Sequence, residues 1–253
     1  MFKALATRFK QGQRTIPFPP QETGLSDRYR GRPEIDSRKC TPGCQACEEV
    51  CPTTALSITG QGPHLDLGRC LFCGECRKAC PAGVIDFGQD YRLSVRRRED
   101  LVLSGSKFLL AAPLEEGLRR LLGRSLKLRQ VSAGGCNACE ADVNVLGTIT
   151  YDLGRFGIEF VASPRHADGL LITGPVTQNM ALALRRTYEA VPSPKIVIAS
   201  GACAISGGPY ADHSEVQNGC AATVPVDLYI PGCPPHPLTI LDGRLRLLNR
   251  LPS

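Results

Sequence analysis

The 253-residue chain has no tryptophan and two methionines, and aromatic residues make up only 6% of it. A nucleic-acid surface would need lysine and arginine clustered with aromatics. The one dense basic run, Arg96-Arg97-Arg98, is followed at once by Glu99 and Asp100, so nucleic acid is not expected as a partner. Long apolar runs are missing too. The longest, Phe108 to Leu114, is interrupted by Pro113 and falls far short of the roughly 18 residues a membrane span needs. The leading segment MFKALATRFK is basic but lacks an apolar signal core, which places the expected chain on the cytoplasmic side. No Gly-x-Gly-x-x-Gly follows a strand, and Gly201-Ala202-Cys203-Ala204 lacks the Lys-Ser/Thr end of a phosphate loop. His64, His166, His213 and His236 are isolated, with no triad signature, so no catalytic residue is expected in this chain.

Cysteine, by contrast, is abundant. There are 13, and an odd number cannot all pair. In a reducing compartment so many thiols point to metal rather than to disulfides. The charge agrees. Lys and Arg exceed Asp and Glu by 30 − 24 = +6. A four-thiolate iron–sulfur cubane brings about −2, so three of them would bring the chain close to neutral.

The chain reads in sections. Residues 1–38 form a lead-in, with Phe2, Leu5, Ala6 and Phe9 on one helical face and Lys3, Arg8 and Lys10 around it. That pattern fits a short helix packed on its own domain, or a docking helix for a partner subunit or an anionic membrane surface. A Pro- and Gly-rich extended arm follows. Residues 39–90 hold eight cysteines, and residues 91–125 connect, with a helical pattern from Leu114 to Leu122. Residues 126–253 alternate. The expected strands are Leu126–Val131, Ile158–Ala162, Gly169–Thr173, Lys195–Ala199 and Val226–Ile230, and the expected helices are Glu140–Leu153, Thr177–Ala190 and His236–Leu251. Short, apolar, β-branched strands suit a parallel sheet covered on both faces, a doubly wound α/β unit.

The eight cysteines form two halves of a repeat: Cys40-x3-Cys44-x2-Cys47-x3-Cys51-Pro52 and Cys70-x2-Cys73-x2-Cys76-x3-Cys80-Pro81. Three closely spaced thiolates wrap one cubane, and the cysteine before proline ligates the other cluster. The expected ligand sets are therefore Cys40, Cys44, Cys47 and Cys80 for one 4Fe–4S cluster, and Cys70, Cys73, Cys76 and Cys51 for the second. The first half has one residue more than usual between its first two cysteines, which a turn at Pro42-Gly43 can absorb. Structural zinc would show two Cys pairs with a long gap between them. The segment resembles bacterial-type ferredoxins over about 50 residues, an α+β fold.

Five cysteines remain. Cys136 and Cys139, Cys203, and Cys233 each lie just past the carboxyl end of an expected strand, where the loops of an open parallel sheet converge on a ligand crevice. These four suit a third 4Fe–4S cluster. Cys220 follows no strand and reads as a small buried thiol.

The stretches Gly123-Arg124-Ser125-Leu126, Ala133-Gly134-Gly135-Cys136-Asn137-Ala138-Cys139-Glu140, Ser163-Pro164-Arg165-His166-Ala167-Asp168, Thr173-Gly174-Pro175-Val176-Thr177 and Ile230-Pro231-Gly232-Cys233-Pro234-Pro235 carry a resemblance. They are similar to the small, complex I 20 kDa-like subunit of energy-converting nickel–iron hydrogenases of the formate hydrogenlyase and hydrogenase-4 type. Arg28-Tyr29-Arg30-Gly31 with the eight-cysteine repeat resembles the ferredoxin subunit of the same complexes, so the chain looks like a fusion of the two. The resemblance implies a flavodoxin-like second domain and electron transfer through three 4Fe–4S clusters. It implies as partners a 49 kDa-like large subunit, membrane-arm subunits and a ferredoxin-like or formate dehydrogenase donor, on the cytoplasmic face of the inner membrane. It also implies that Arg165 and His166 lie near the third cluster. The family usually has Gly at 138, Glu at 142 and Asp at 202, where this chain has Ala138, Asp142 and Ala202. An acid at 142 keeps a proton-conducting or hydrogen-bonding role open. The two-residue gap between Cys136 and Cys139 follows the hydrogenase branch, whereas complex I has adjacent cysteines. A quinone-reducing complex I-like subunit, a stand-alone carrier and a zinc module are the competing readings. No further Cys-x-x-Cys pairs remain for a nickel–iron site, so turnover is expected only with a large subunit.

Overall fold

The computed structural model describes residues 2–12, 14–20, 24–60, 62–105 and 107–251. The lead-in opens with helix α1, Phe2–Gln11, and every one of its residues is exposed. The arm is irregular until β1, Pro33–Ile35. Residues 13 and 21–23 of the arm lie outside the described residues.

The cysteine-rich unit follows its repeat. Each half runs from a cysteine loop into one short helix and then one strand. The first half gives α2, Ala46–Glu49, and β2, Leu56–Thr59. Strand β3, Gly62–Asp66, comes between the halves, and the second half gives α3, Glu75–Ala79, and β4, Ile85–Phe87. Both Cys-Pro steps end their helices, because proline cannot continue one. Three residues past each of these cysteines, Thr54 and Gly83 turn the backbone left-handed, at φ 49° and 61°. The extra residue of the first half is taken up at Gly43, φ 79°, and the Cys44 N–H closes that turn on Thr41 O at 3.1 Å.

Two antiparallel sheets complete the unit, and each recruits a strand from beyond 39–90. β1 pairs with β4, placing Ile35 opposite Ile85. β5, Val102–Leu103, pairs with β3, which already pairs with β2. The arm and the connector thus supply edge strands, a role their short sequences gave no periodicity to signal.

After helix α4, Glu116–Leu122, the second unit begins. Its elements are β6 (Leu126–Ser132), α5 (Ala138–Val145), β7 (Ile158–Phe160), β8 (Gly169–Thr173), α6 (Gln178–Ala190), β9 (Ile196–Ser200), α7 (Ala202–Ser206), β10 (Leu228–Ile230) and α8 (Pro237–Leu247). The five strands are all parallel, in the order β10-β9-β8-β6-β7. Counted within this unit, the order is 2-1-3-4-5, the flavodoxin-like arrangement. Alternate residues serve opposite faces. Leu170, Ile172, Val197 and Ala199 pack with Leu184 of α6, whereas Leu171, Ile196 and Ile198 pack with Val143 of α5 and Ile240 of α8.

Helix α5 ends earlier than its apolar pattern predicts. The chain turns after Val145, where the Gly147 and Thr148 N–H groups bond back to Asn144 and Val145 carbonyls and Thr148 Oγ1 also donates to Val145 O. β9 starts one residue later than expected, at Ile196, and the side chain of Lys195 just before it serves α6. Its ammonium donates to the Tyr188 and Val191 carbonyls at 2.6 and 2.7 Å, satisfying the last turn of α6. In α8, Arg244 is fully buried against the ring of Phe160, and among the described residues none of its guanidinium nitrogens has a hydrogen-bond partner.

The two units share one core. The cluster containing Ile35, Leu65 and Phe87 continues through Val95 into Ile205 and Tyr229. Val95 forms an antiparallel bridge to Tyr229 beside β10, Arg96 Nε donates to Asp227 O at 2.7 Å, and Ser206 Oγ donates to Gly68 O at 2.8 Å. Arg98 pairs with Asp66 at 2.5 Å on the same seam. No described helix is long and apolar enough to cross a membrane.

Candidate iron–sulfur sites

The structure brings the predicted ligands together as three sets of thiols. Burial pushes the Cys47 thiol up, and Cys80, Cys40 and Cys44 add to the push. That is the first predicted set. Burial pushes Cys70 up to about 12, and after the opposing backbone bond at Phe72 the remaining contributors are Cys76, Cys51 and Cys73. That is the second. In the second unit burial raises Cys139, reinforced by Cys203, Glu140, Cys233 and Cys136. Among the described residues no three His, Cys, Asp or Glu side chains stand close enough to hold a single metal ion.

Backbone donors are aimed at sulfur in the first two sets. The Ala55 N–H donates to Cys51 Sγ at 3.2 Å and the Val84 N–H to Cys80 Sγ at 3.3 Å. The two bonds are equivalent across the repeat and depend on the left-handed turns at Thr54 and Gly83. The Phe72 N–H donates to Cys70 Sγ at 3.3 Å. Such bonds favour the charged sulfur. Sequence reading did not find them, although Gly83 in the second half was a visible cue.

The third set gathers at the carboxyl ends of β6, β9 and β10. Cys136 and Cys139 enter through Gly134-Gly135, and a side chain on Gly174 would lie 2.5 Å from the Gly135 nitrogen, so two loops meet at the switch point between β6 and β8. Gly201 lies directly against a thiol of the set. Its φ is 95°, and a Cβ there would stand 2.6 Å from Cys139 Sγ. A Cβ on Gly208 would stand 2.9 Å from Cys203 Sγ. The glycines therefore clear the space the thiols occupy. Beside them Glu140 is buried, and burial raises its carboxyl, but 2.6 Å hydrogen bonds from Ser132 and Thr173 outweigh burial and hold it below the usual range. Cys136 and Cys233 are the exposed members of the set.

The sets are ordered along the molecule. Cys76, raised by burial to about 11, also feels Cys47 of the first set. Cys73 of the second set and Cys233 of the third line the same cavity of about 300 Å³, together with Tyr29, Phe72, Asp142 and His236. The arm forms one wall. Tyr29 packs edge-on against His236 at 5.1 Å, and Arg30 Nη1 donates to Phe72 O at 3.1 Å. Burial raises the Asp142 carboxyl. Arg165 and His166 sit on a turn between β7 and β8 that packs against β6 and α6. Cys220 is fully buried, and burial pushes its thiol up to about 12.

The donor chemistry fits iron–sulfur clusters: four sulfurs per set, amide donors on sulfur in the first two and a side-chain-free cradle in the third. Residues 136–247 match the family described as NADH ubiquinone oxidoreductase, 20 Kd subunit, and residues 39–84 match a 4Fe-4S dicluster domain. The probable membrane-bound hydrogenase subunit mbhJ of Pyrococcus furiosus is 42% identical over 134 residues, which span 53% of this chain and 80% of that protein. Formate hydrogenlyase subunit 7 of Escherichia coli is 45% identical over 140 residues, 55% of each chain. An NADH-quinone oxidoreductase subunit of Heliobacterium modesticaldum is 46% identical over 120 residues, 47% of this chain and 69% of that protein. A chain of the membrane-bound sulfane sulfur reductase, an archaeal respiratory membrane complex, aligns with a TM-score of 0.47 at 37% identity, over 54% of this chain and 75% of that one.

Fold and thiols together define an iron–sulfur subunit of an oxidoreductase complex. The chain belongs to the 20 kDa subunit family of NADH ubiquinone oxidoreductase, here preceded by a 4Fe-4S dicluster domain.

Proposed function

We propose that the chain is an electron-transfer subunit of a membrane-associated, energy-converting nickel–iron hydrogenase complex. It holds three 4Fe–4S clusters: one on Cys40, Cys44, Cys47 and Cys80, one on Cys70, Cys73, Cys76 and Cys51, and one on Cys136, Cys139, Cys203 and Cys233. The observation that carries this reading is the order of the thiol sets. The first and second are linked through Cys47 and Cys76, the second and third share the cavity between Cys73 and Cys233, and the last opens to the surface at Cys136 and Cys233.

Clusters bound at these thiols supply one-electron carriers. The rest is the protein's work. Amide donors at Ala55, Phe72 and Val84 stabilise charged sulfur. The shared core fixes the spacing between the units. Tyr29 and His236 wall the passage between the second and third sets. The exposed face at Cys136 and Cys233 takes a 49 kDa-like large subunit with the active site, while membrane-arm subunits and a ferredoxin-like or formate dehydrogenase donor complete the complex. The subunit sits peripherally on the cytoplasmic face of the inner membrane. In this reading residues 39–90 are the ferredoxin domain, extended by β1 and β5, and residues 126–253 the 20 kDa-like domain.

Anaerobic preparation with iron and sulfide counting tests the cluster content. About twelve of each per chain are expected from three cubanes, and about eight or fewer would remove the third site. The NADH-quinone oxidoreductase relatives favour a second reading, a quinone-reducing complex I-like subunit. Nickel in the purified complex supports the hydrogenase reading, and a nickel-free complex that reduces quinone supports the second.

A further inference from the structure

Helix α1 is amphipathic, and among the described residues nothing covers it. Phe2 and Phe9 are 88% and 87% exposed, and Leu5, between them on the same face, is 50% exposed. Isolated helices shorter than about 12–15 residues are marginal in water. A ten-residue helix that buries none of its residues therefore needs an outside surface to hold it. Its charge says which kind. Residues 1–20 contain Lys3, Arg8, Lys10 and Arg14 and no carboxylate, the first being Glu22. A second copy of the helix would set like charges against like. A surface rich in negative charge that also accepts phenyl rings meets both faces at once. The attachment to the body is short. Thr15 Oγ1 donates to Ile149 O at 3.0 Å, the Ile16 N–H to Thr150 O at 2.9 Å, and Arg155 Nη2 to Ile16 O at 2.7 Å. Ile149, 74% exposed, adds an apolar side chain at that attachment.

We propose that α1 lies in the plane of an anionic lipid surface, with Phe2, Leu5 and Phe9 inserted among the acyl chains and Lys3, Arg8 and Lys10 against the phosphate headgroups. The inference deepens the peripheral membrane placement above and does not depend on the number of clusters.

The test is flotation of the iron-loaded full chain with vesicles of phosphatidylcholine alone or with phosphatidylglycerol added. Binding is expected to the anionic vesicles, weakening as salt rises. Each basic residue near an anionic surface is worth roughly fivefold in partition, so a Lys3→Gln, Arg8→Gln, Lys10→Gln triple variant should bind roughly a hundredfold more weakly. A Phe2→Ser, Phe9→Ser double variant should lose at least about tenfold. Iron content should match the wild type in both, which separates lost attachment from lost folding. The proposal is overturned if the wild type does not float with anionic vesicles, or if the double variant floats as well as the wild type. Attachment that appears only in the assembled complex and is abolished by the double variant would instead assign α1 to a groove on a partner subunit. None of these outcomes touches the iron count on which the electron-transfer reading stands.

Discussion

Replacing Gly201 by alanine should empty the third site while sparing the other two. Gly201 adopts φ 95° and ψ 154°, a conformation that side chains rarely tolerate, and forcing one into it costs about 1–3 kcal/mol. The added Cβ would also stand 2.6 Å from Cys139 Sγ, where ordinary contact begins at 3.4 Å, so the two atoms must part by at least 3.4 − 2.6 = 0.8 Å. Overpacking of that kind costs a further 1–3 kcal/mol or so. The combined penalty, about 2–6 kcal/mol, falls on a thiol whose position defines the site. Gly105 provides the control, because its φ is 98° but nothing lies within 4 Å of its missing Cβ. Gly105→Ala therefore carries the backbone penalty alone. Iron counting and thermal unfolding of both variants separate the contributions. Gly201→Ala should hold about eight irons per chain and Gly105→Ala about twelve, by the four-iron stoichiometry of each cubane. A Gly201→Ala protein with the wild-type iron count and the stability of Gly105→Ala would refute the packing argument.

Three further outcomes follow from the structure. Cys220→Ala should keep the full iron content and lose only about 1 kcal/mol of unfolding free energy, as a small buried apolar deletion does, whereas Cys203→Ala should lose about four irons; equal losses would place Cys220 among the ligands. His236 accepts the Leu238 N–H on Nδ1 at 3.1 Å to cap α8, and burial holds its pKa below 6.5. The unfolded chain therefore takes up the proton first, so stability should be full above about pH 6.5 and fall as the pH drops toward the folded-state pKa. His236→Asn keeps a cap without the titration, so its denaturation midpoint should change less than the wild type's between about pH 7.5 and 5.5. Arg244→Met removes three buried nitrogens that have no partner among the described residues while keeping an apolar contact for Phe160, and chemical denaturation should show a gain of about 1–3 kcal/mol; a loss would mean that the guanidinium's contact with the Phe160 ring outweighs its unpaired nitrogens.

How much of this was legible depended on how local the signal was. The cysteine repeat announced the first two thiol sets, because its spacing is itself the geometry of the wrap, and Cys80 lies near enough to Cys47, and Cys51 to Cys70, to push those thiols up. The third set was legible only through the strand pattern, since Cys136, Cys203 and Cys233 are far apart in sequence and meet because parallel strands share one carboxyl edge. Strands β1 and β5 were not legible. With three and two residues they carry no period, and only their partners Ile85 and Leu65 make them strands. Nor did the sequence reveal Tyr29 as a wall of the passage, because a Pro- and Gly-rich arm gives no sign of what it lies across. The turn carrying Arg165 and His166, which the resemblance placed near the third thiol set, packs over β6 and α6.

The bridge between Val95 and Tyr229 has a consequence for assembly. Because the connector is stitched into the edge beside β10, the cysteine-rich half and the sheet half cannot drift apart or be exchanged independently. The gap between Cys73 and Cys233 is therefore an internal dimension of a single polypeptide, set when the chain folds. Whichever subunits dock at either end, that middle interval arrives already built.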